Sequence, residues 1–333
     1  MASLHQVYRS AFAIGASLGG LLPDDYAPEE LALIDAQFSV VTPENCMKPM
    51  AIQPEEGVFT FQQADALVAF AAARGKRVTG HCLVWHQNCP EWFFQDGDQP
   101  AGRELVLARL RAHIQAVLGR YRGRIIGWDV VNEAVSDGED YLRDTAWLRH
   151  IGEDYLTQAF RFAGEADPDM PLYYNDYSIE MPAKREKTLR LLAALRDDGI
   201  RVDAVGIQGH WVLDQAPFAE IEEAIDLFAQ TGAKVMITEL DLSVLPWDAA
   251  AGDPYADGCP PEMLARQAEQ YAELFRIFLR HRDVITRVAF WNPHDGRSWL
   301  NYWPYRRTNY PLLFDRACRP KPAYDAVLAV GRS

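Results

Sequence analysis

Eight short runs of β-branched and apolar residues recur along the chain, and they constrain its fold more than any other feature. They lie at residues 12–16, 38–42, 77–84, 125–131, 172–175, 204–208, 234–238 and 288–291. Between most of them lies a stretch with apolar residues at helical spacing, namely 61–74, 103–121, 185–196, 218–230 and 263–281. Apolar strands that alternate with amphipathic helices are typical of parallel strands covered by helices. The pattern predicts an α/β fold, and eight repeats favour a closed (β/α)₈ barrel over an open doubly wound sheet.

The composition fits one large barrel of the TIM type. Of 333 residues, 49% are apolar and 24% are charged, a mixture that can bury a large core and that excludes a disordered or fibrous chain. No internal repeat, low-complexity tract or Pro/Ser-rich linker divides the sequence. We therefore expect a single (β/α)₈ TIM-barrel domain over residues 1–333.

The charge balance limits the possible partners. The chain has 33 Lys and Arg against 47 Asp and Glu, a net charge of −14. Binding to duplex DNA or to an anionic membrane would need a basic face, so we expect neither a nucleic-acid nor a membrane partner. The sequence contains no run of about 18 apolar residues, so it predicts no membrane-spanning helix. The five cysteines are an odd and sparse set, so they predict no disulfide framework. As a separate expectation, we predict a monomer.

The apolar stretch at residues 11–22 allows two interpretations. It has about the length of a signal-peptide core and follows Arg9, but it also suits a first barrel strand and a glycine turn. We favour the strand, because cleavage there would remove an element that the barrel pattern needs. The expected location is then either the cytoplasm or, for a mature chain without its signal peptide, the periplasm or the exterior.

Polar residues follow seven of the eight predicted strands at the same end. These pairs are Glu44 and Asn45, Trp85 and His86, Asn132 and Glu133, Asn175 and Tyr177, Gln208 and His210, Glu239 and Asp241, and Trp291 and Asn292. In (β/α)₈ barrels the chemistry takes place where the strands end and the βα loops begin. The sequence therefore predicts one polar site at this end of the barrel.

Two glutamates at these strand ends suggest glycoside hydrolysis. Glu133 ends the segment WDVVNE and Glu239 lies in VMITELD. That reaction needs one carboxyl group that is protonated to release the leaving oxygen and one carboxylate that attacks or activates water, so their pKa values must differ. A single strand-end glutamate often only caps a helix or pairs with an arginine. Two, each with polar neighbours, favour catalysis.

Strand periodicity suggests how the two glutamates could differ. Glu239 and Asp241 are two residues apart and share a face, as do Gln208 and His210 on the neighbouring strand. A hydrogen-bonded chain Glu239–His210–Asp241 could hold Glu239 ionised. Beside Glu133, the amide of Asn132 can bind either substrate or the carboxyl group.

A metal site is the main alternative for the histidines. His81, His86 and His210 lie near strand ends with Cys82, but two of these histidines are five residues apart and no HExxH or CxxC motif accompanies them. The sequence also lacks a glycine-rich phosphate loop. We therefore predict neither a metal nor another cofactor.

Four aromatic residues at or after strand ends predict a sugar-binding cleft. They are Trp85, Tyr177, Trp291 and Trp299. Indole and phenol faces pack on the apolar faces of pyranose rings while their polar edges form hydrogen bonds. A second group has either a packing role or a role in distant subsites, and comprises Trp92, Trp147, Trp211, Trp247 and Trp303.

These motifs together resemble endo-β-1,4-xylanases of glycoside hydrolase family 10 from about residue 12 to residue 324. The segments that carry the resemblance are TPENCMK (42–48), GHCLVWH (80–86), WDVVNEA (128–134), YYNDY (173–177), GIQGH (206–210), ITELD (237–241), the 291–299 stretch and PLLFD…PKPAY (311–324). The resemblance implies a retaining double displacement on xylan and xylo-oligosaccharides, with Glu133 as acid/base and Glu239 as nucleophile supported by His210 and Asp241. It implies that the glycone subsites are lined by Glu44, Asn45, Lys48, His81, Trp85, Asn132, Gln208, Trp291 and Trp299, and that Asn175 and Tyr177 face the aglycone side.

The sequence departs from this family pattern in the loop after the last strand. Family members usually have glycine where Asn292 stands, and the 300–310 loop is rich in aromatic residues and arginine. Arg306 and Arg307 could meet a glucuronic acid branch or could form internal ion pairs. Two other functions stay open: a barrel glycosidase acting on cellulose or mannan, and a carbohydrate-binding barrel without catalysis. The intact pair of Glu133 and Glu239 argues against the second.

Overall fold

Parallel strands form the centre of the molecule in the computed structural model, which describes residues 3–248 and 252–333. Within these residues the eight barrel strands are β1 Ala13–Leu18, β2 Val40–Pro43, β3 in two segments Arg77–Val78 and Gly80–Val84, β4 Trp128–Asn132, β5 Leu172–Asp176, β6 Ala204–Ile207, β7 Lys234–Ser243 and β8 Ile285–Phe290. The hydrogen-bonded order starts at the first segment of β3, runs through β2, β1, β8, β7, β6, β5 and β4, and returns to the second segment of β3. The sheet therefore closes, which confirms the predicted (β/α)₈ barrel.

Helices follow most of the strands and cover the outside of the barrel. They are α1 Leu4–Val7, α2 Pro28–Gln37, α3 Pro49–Ile52, α4 Gln62–Ala73, α5 Arg103–Tyr121, α6 Ala146–Ile151, α7 Tyr155–Ala166, α8 Pro182–Asp197, α9 Phe218–Gln230, α10 Pro261–Arg280 and α11 Pro322–Val330. Two 3₁₀ helices, Glu91–Phe94 and Trp299–Asn301, and a small hairpin of Gln95–Asp96 with Gln99–Pro100 lie in the loops. In the part of the chain that the model describes, no helix is long and apolar enough to cross a bilayer.

The outer boundaries of β3 agree with the prediction, and those of the other strands differ from it by at most three residues, except at β7. The stretch considered as a signal-peptide core contains β1, which pairs with both β2 and β8 inside the sheet. Strand β7 extends five residues further than predicted, to Ser243, because its C-terminal residues pair with a short strand His210–Val212 that continues β6. Gly209, at φ +83°, makes the offset between these two segments. This extension places His210 directly opposite Asp241.

The loop after β8 is fixed by a buried ion pair with the C-terminal segment. Lys321 Nζ lies 3.0 Å from Asp295 Oδ2 and donates to the carbonyl of Leu312 at 2.7 Å. Burial raises the pKa of Asp295 to about 6, although Lys321 acts in the opposite direction. Asn301 Nδ2 donates to the Asp295 carbonyl at 2.8 Å. The loop that carries Trp299 is thereby held against the barrel.

Candidate active site

The two glutamates meet at the carboxyl ends of the strands and share one network of amide side chains. Asn175 Nδ2 donates to Glu239 Oε1 at 2.8 Å and to Asn132 Oδ1 at 2.9 Å. Asn132 Nδ2 in turn donates to Glu133 Oε1 at 3.2 Å. Only two amide groups therefore separate the carboxylates, although β6 lies between β5 and β7 in the sheet.

Asn175 lies at the centre of this network. Its side chain is fully buried, and Thr238 Oγ1 donates to its Oδ1 at 2.6 Å, which fixes the orientation of the amide. A Cβ atom at Gly206 would lie 2.3 Å from the same oxygen. Glycine on β6 thus leaves the space that Asn175 needs to reach Glu239.

Glu239 is held by a charged chain of side chains. His210 Nε2 donates to Glu239 Oε2 at 3.1 Å, and His210 Nδ1 donates to Asp241 Oδ2 at 2.9 Å. Burial lowers the pKa of His210, but the two carboxylates outweigh it and raise the pKa to about 10. An imidazole that donates from both nitrogens carries a positive charge. The structure therefore contains the Glu239–His210–Asp241 chain that the strand periodicity predicts.

This chain determines the charge of Glu239. Burial alone would raise the pKa of its carboxyl group. The hydrogen bonds from His210 and Asn175 and the electrostatic effect of the His81 and His210 side chains outweigh burial, so the pKa of Glu239 lies below its usual range. Glu239 is consequently an ionised carboxylate that is only 5% exposed.

Neutral donors hold Glu133. Trp85 Nε1 donates to Oε2 at 2.8 Å, and Gln208 Nε2 donates to Oε1 at 3.0 Å, beside the bond from Asn132. No Lys, Arg or His side chain forms a hydrogen bond with this carboxyl group among the contacts of the described residues. The two glutamates thus share a cleft but differ in the charge of their donors.

The backbone of Glu133 adopts an unusual conformation. Its φ of +58° lies in the left-handed region, which a glutamate rarely adopts. The Glu133 amide donates to the Asn175 carbonyl at 2.9 Å, and its own carbonyl accepts from Arg143 Nε at 3.2 Å. These bonds hold a conformation of a kind that clusters at functional sites.

Three residues after β2 line one side of the cleft. Lys48 Nζ donates to Asn45 Oδ1 at 2.9 Å and lies 4.7 Å from the centre of the Trp85 ring. Glu44 Oε2 accepts from Asn292 Nδ2 at 3.1 Å. Burial raises the pKa of Glu44, although Lys48 and the Asn292 hydrogen bond act against it.

His81 and Trp291 form part of the cleft floor. His81 Nδ1 lies 2.9 Å from Asp129 Oδ2, and its ring meets Trp291 edge to face at 5.5 Å. Trp291 also packs edge to face on His210, with the ring centres 6.4 Å apart. Because the Asp129 carboxylate accepts from Nδ1, the Nε2 atom of His81 is left for other partners.

Trp299 contacts the support of Glu239 as well as the cleft. Its Nε1 donates to Asp241 Oδ2 at 2.8 Å, and its ring packs on His210 with centres 4.9 Å apart. Trp303 stacks on Trp299 with ring centres 4.9 Å apart and an interplanar angle of 19°. The ring centre of Trp247 lies 6.3 Å from that of Trp299. Trp247 and Trp303, which the sequence left undecided, therefore extend the wall at Trp299.

The other undecided tryptophans have packing roles. Trp147 and Trp211 are 2% and 5% exposed, and their indole nitrogens donate to the Trp85 carbonyl and to Glu180. Trp92 stacks on Phe93 with ring centres 3.9 Å apart.

Tyr177 lies in a charged cluster at the edge of the cleft. Its hydroxyl donates to Asp137 Oδ2 at 2.5 Å and accepts from Arg143 Nη2 at 2.8 Å. Lys184 Nζ lies 3.6 Å from the centre of its ring. The Tyr177 hydroxyl is thus already engaged with protein groups.

Two residues that the sequence analysis did not select, Asp129 and Thr238, contribute to the site together with Asn292, which the sequence places at the end of the eighth strand. Asp129 contacts His81, Thr238 orients Asn175, and Asn292 binds Glu44. Asp129 could have been found, because it is an acidic residue within the otherwise apolar start of β4, and β4 is the neighbour of the strand that carries His81. Thr238 carries no comparable sequence signal.

The histidines considered as metal ligands have other surroundings. His81 and His210 contact carboxylates, whereas burial and then Arg143 lower the pKa of His86 to about 4. Within residues 3–248 and 252–333, no group of three or more His, Cys, Asp or Glu side chains is arranged to hold a metal ion.

Comparison with known proteins gives one consistent result. The model of Glycosyl hydrolase family 10 matches residues 3–330. Endo-1,4-beta-xylanase B of Paenibacillus barcinonensis is 42% identical, covering 98% of this chain and 97% of its own. The solved structure of a novel endoxylanase from a sugarcane soil metagenome has a TM-score of 0.95 at 38% identity, covering 99% of this chain and 100% of its own. A mutant structure in complex with xylotriose has a TM-score of 0.92 at 39% identity, covering 98% of this chain and 99% of its own.

Proposed function

The chain belongs to glycosyl hydrolase family 10, and we propose that it is a retaining endo-β-1,4-xylanase acting by double displacement. The observation that carries this proposal is the pair of glutamates in one cleft, one bound to a charged imidazolium chain and the other to neutral donors. A retaining glycosidase needs this division, because one carboxylate must attack while the other carries and returns a proton.

In the first step, Glu239 attacks the anomeric carbon and the glycosidic C–O bond breaks. Glu133 gives its proton to the departing oxygen, so the leaving sugar departs as an alcohol and the other sugar stays as a glycosyl ester of Glu239. In the second step, Glu133 takes a proton from water, whose oxygen displaces Glu239 from the anomeric carbon. Both carboxyl groups return to their initial states, so no further reactant is consumed.

The surroundings of each glutamate support these roles. The His210–Asp241 chain keeps Glu239 ionised for attack, as the lowered pKa of Glu239 indicates. Trp85 and Gln208 bind opposite oxygens of Glu133 and so fix the direction in which it can deliver a proton. Neutral donors leave Glu133 free to exchange a proton without a competing ion pair.

For the substrate we propose xylan and xylo-oligosaccharides, bound by residues 1–333 as one catalytic domain. Relatives at about 40% identity are named endo-1,4-beta-xylanases, and a structural neighbour is described in complex with xylotriose. The proposed glycone contacts are Glu44, Asn45, Lys48, His81, Trp85, Asn132, Gln208, Trp291 and Trp299, and the proposed residues on the aglycone side are Asn175 and Tyr177. We propose a monomer that needs no cofactor and binds neither nucleic acid nor membrane.

Two measurements test the proposal. Rates on glucuronoarabinoxylan, linear xylo-oligosaccharides, carboxymethylcellulose and mannan should show a strong preference for the first two, and comparable rates on cellulose or mannan would favour the other barrel glycosidases. Proton NMR during hydrolysis should show the β-anomer released first. An α-anomer released first would mean inversion and would refute Glu239 as nucleophile. A chelator should leave the rate unchanged, whereas strong inhibition would restore the metal hypothesis.

A further inference from the structure

Asn292 occupies a backbone position that favours glycine. It lies two residues after β8 with φ +93°, a region in which residues with a Cβ atom are strained. Its side chain is only 2% exposed, so it has left water for partners inside the protein. A strained residue that is also buried needs a compensating role.

Both ends of the Asn292 amide are engaged. Nδ2 donates to Glu44 Oε2 at 3.1 Å, and Oδ1 accepts from the Trp299 backbone amide at 3.1 Å. Glu44 follows β2 and Trp299 lies in the loop after β8, so the amide joins two separate walls of the cleft. A glycine could form neither of these bonds.

Trp299, on the second of these walls, is connected by hydrogen bonds to Glu239. The indole of Trp299 donates to Asp241, and Asp241 binds His210, which binds Glu239. Asn292 therefore lies between a carboxylate on the glycone side and the side chains that support Glu239. A change at Asn292 can alter the position of Glu44 without removing any group that touches Glu239.

The charges that face Glu44 explain why a neutral amide suits this position. Besides Asn292, the groups acting on its carboxyl group are Lys48, Arg297 and Glu239, and Glu44 also acts on the hydroxyl of Tyr26. Among these only Asn292 donates a hydrogen bond to Oε2 in the contacts of the described residues. The amide thus determines the direction of the carboxylate, while Lys48 and Arg297 contribute charge from a distance.

We propose that Asn292 is a positioning residue that fixes Glu44 for binding the glycone sugar beyond the one that is attacked. This inference rests on the proposed function. It predicts that Asn292 matters more for substrates that extend into this position than for those that end before it.

The first test replaces Asn292 with the glycine that its backbone conformation favours. With aryl β-xylobioside, Asn292→Gly should lower kcat/KM about tenfold, the effect of losing one hydrogen bond to a charged group, and mainly through KM. With aryl β-xyloside, which has no second sugar, the loss should stay below about threefold. Equal losses on both substrates would overturn the inference. Thermal unfolding of the variant verifies that it is folded.

A double-mutant cycle with Glu44→Ala shows whether Asn292 acts through Glu44. Once Glu44 is removed, Asn292→Gly should cost less than about twofold in kcat/KM on the xylobioside. Losses that multiply would show that Asn292 acts elsewhere and would overturn the inference.

A pH signature separates this role from a merely structural one. Asn292→Asp keeps the acceptor for Trp299 but turns a second carboxylate toward Glu44, so the two must share a proton or repel each other. The loss of kcat/KM should exceed that of the glycine variant near pH 7 and shrink toward pH 5, as a shared proton restores the hydrogen bond. A loss independent of pH would overturn the inference.

The substrate of the unmodified enzyme separates the two proposals. If that enzyme preferred aryl cellobioside to aryl xylobioside, the proposed function would fail, and the Asn292 comparison would be made with cellobioside and glucoside. The inference about Asn292 fails only if the one-sugar and two-sugar substrates respond equally, if the effects of Asn292→Gly and Glu44→Ala multiply, or if the Asn292→Asp loss is independent of pH.

Discussion

The two glutamates of the cleft are the same residue type at the same end of one barrel, yet their partners differ in charge. Glu239 accepts from an imidazolium that Asp241 holds in place, and its pKa is lowered. Glu133 accepts only from an indole and two amides. A positive donor favours a carboxylate that attacks, whereas neutral donors suit a carboxyl group that gains and loses a proton in each cycle.

The largest expected effect comes from removing each glutamate in turn. Glu239→Ala should lower kcat about 10⁵-fold with every leaving group, because no leaving group replaces a missing nucleophile. Glu133→Ala should be severe on xylan but mild in the first step with a dinitrophenyl leaving group, which departs without a proton. Burst kinetics on an aryl xylobioside measure the two steps separately.

Azide sharpens this comparison because it can replace either lost group. In Glu133→Ala, azide should attack the accumulated intermediate and give a β-azide. In Glu239→Ala, it should displace the leaving group directly and give an α-azide. The same anomer from both variants would contradict the assigned roles.

The next effect concerns the imidazolium. His210→Gln removes its positive charge, so the pKa of Glu239 should rise and the acid limb of kcat/KM should move to higher pH. We expect kcat/KM to fall about 10²–10³-fold near neutral pH, because Glu239 would be less ionised and less well oriented for attack. His281→Gln is a matched control, because His281 also lies 3.2 Å from two carboxylates, Glu222 and Asp226, but on the surface. An unmoved acid limb would contradict the role of His210.

The same substitution should change stability within a defined pH window. The pKa of His210 is raised from 6.5 to about 10, so its contribution to stability is complete below pH 6.5 and is lost as the pH rises through about 10. The pKa of Glu239 is lowered from 4.5, so its contribution is present above pH 4.5 and is lost as the pH falls. Both contributions are complete only between about pH 4.5 and pH 6.5. The Tm difference between the unmodified enzyme and His210→Gln should therefore be largest in this window, and thermal unfolding at several pH values measures it.

A smaller effect is expected on the side of Glu133. Trp85→Phe keeps the aromatic ring but removes the N–H that donates to Oε2 at 2.8 Å. The loss in kcat/KM should be up to about a hundredfold on xylan, the range for one hydrogen bond to a charged group, and smaller with a dinitrophenyl leaving group. Trp92→Phe is the matched control, because its indole donates to the Gln53 carbonyl instead. Equal losses on both substrates would mean that Trp85 only binds sugar.

The sequence predicts the support of Glu239 better than that of Glu133, for a physical reason. His210 and Asp241 lie on neighbouring strands, so the two-residue period and strand adjacency together place them in contact. The bond from Trp85 to Glu133, by contrast, joins residues 48 apart that both lie just beyond the ends of their strands, where the two-residue period no longer applies. The left-handed backbone of Glu133 has no sequence signal, because glutamate is not a residue typical of that region. Regular strands are thus predictable, whereas the loop side chains that complete the site depend on the folded chain path.

The smallest effect separates sugar binding from both glutamates. Lys48 touches neither carboxylate in the hydrogen bonds of the described residues, but it lies over Trp85 and donates to Asn45. Lys48→Ala should lower kcat/KM on xylotriose about tenfold, the low end for a lost charge-assisted hydrogen bond to a hydroxyl. Because Lys48 can neither attack nor deliver a proton here, the leaving-group dependence, the azide products and the acid limb should all stay as in the unmodified enzyme. Lys234→Ala, which removes an exposed lysine at the opposite end of β7, is the control. An unchanged kcat/KM would place Lys48 outside the cleft, whereas a changed leaving-group dependence would show that it acts on Glu133 through the Trp85 ring.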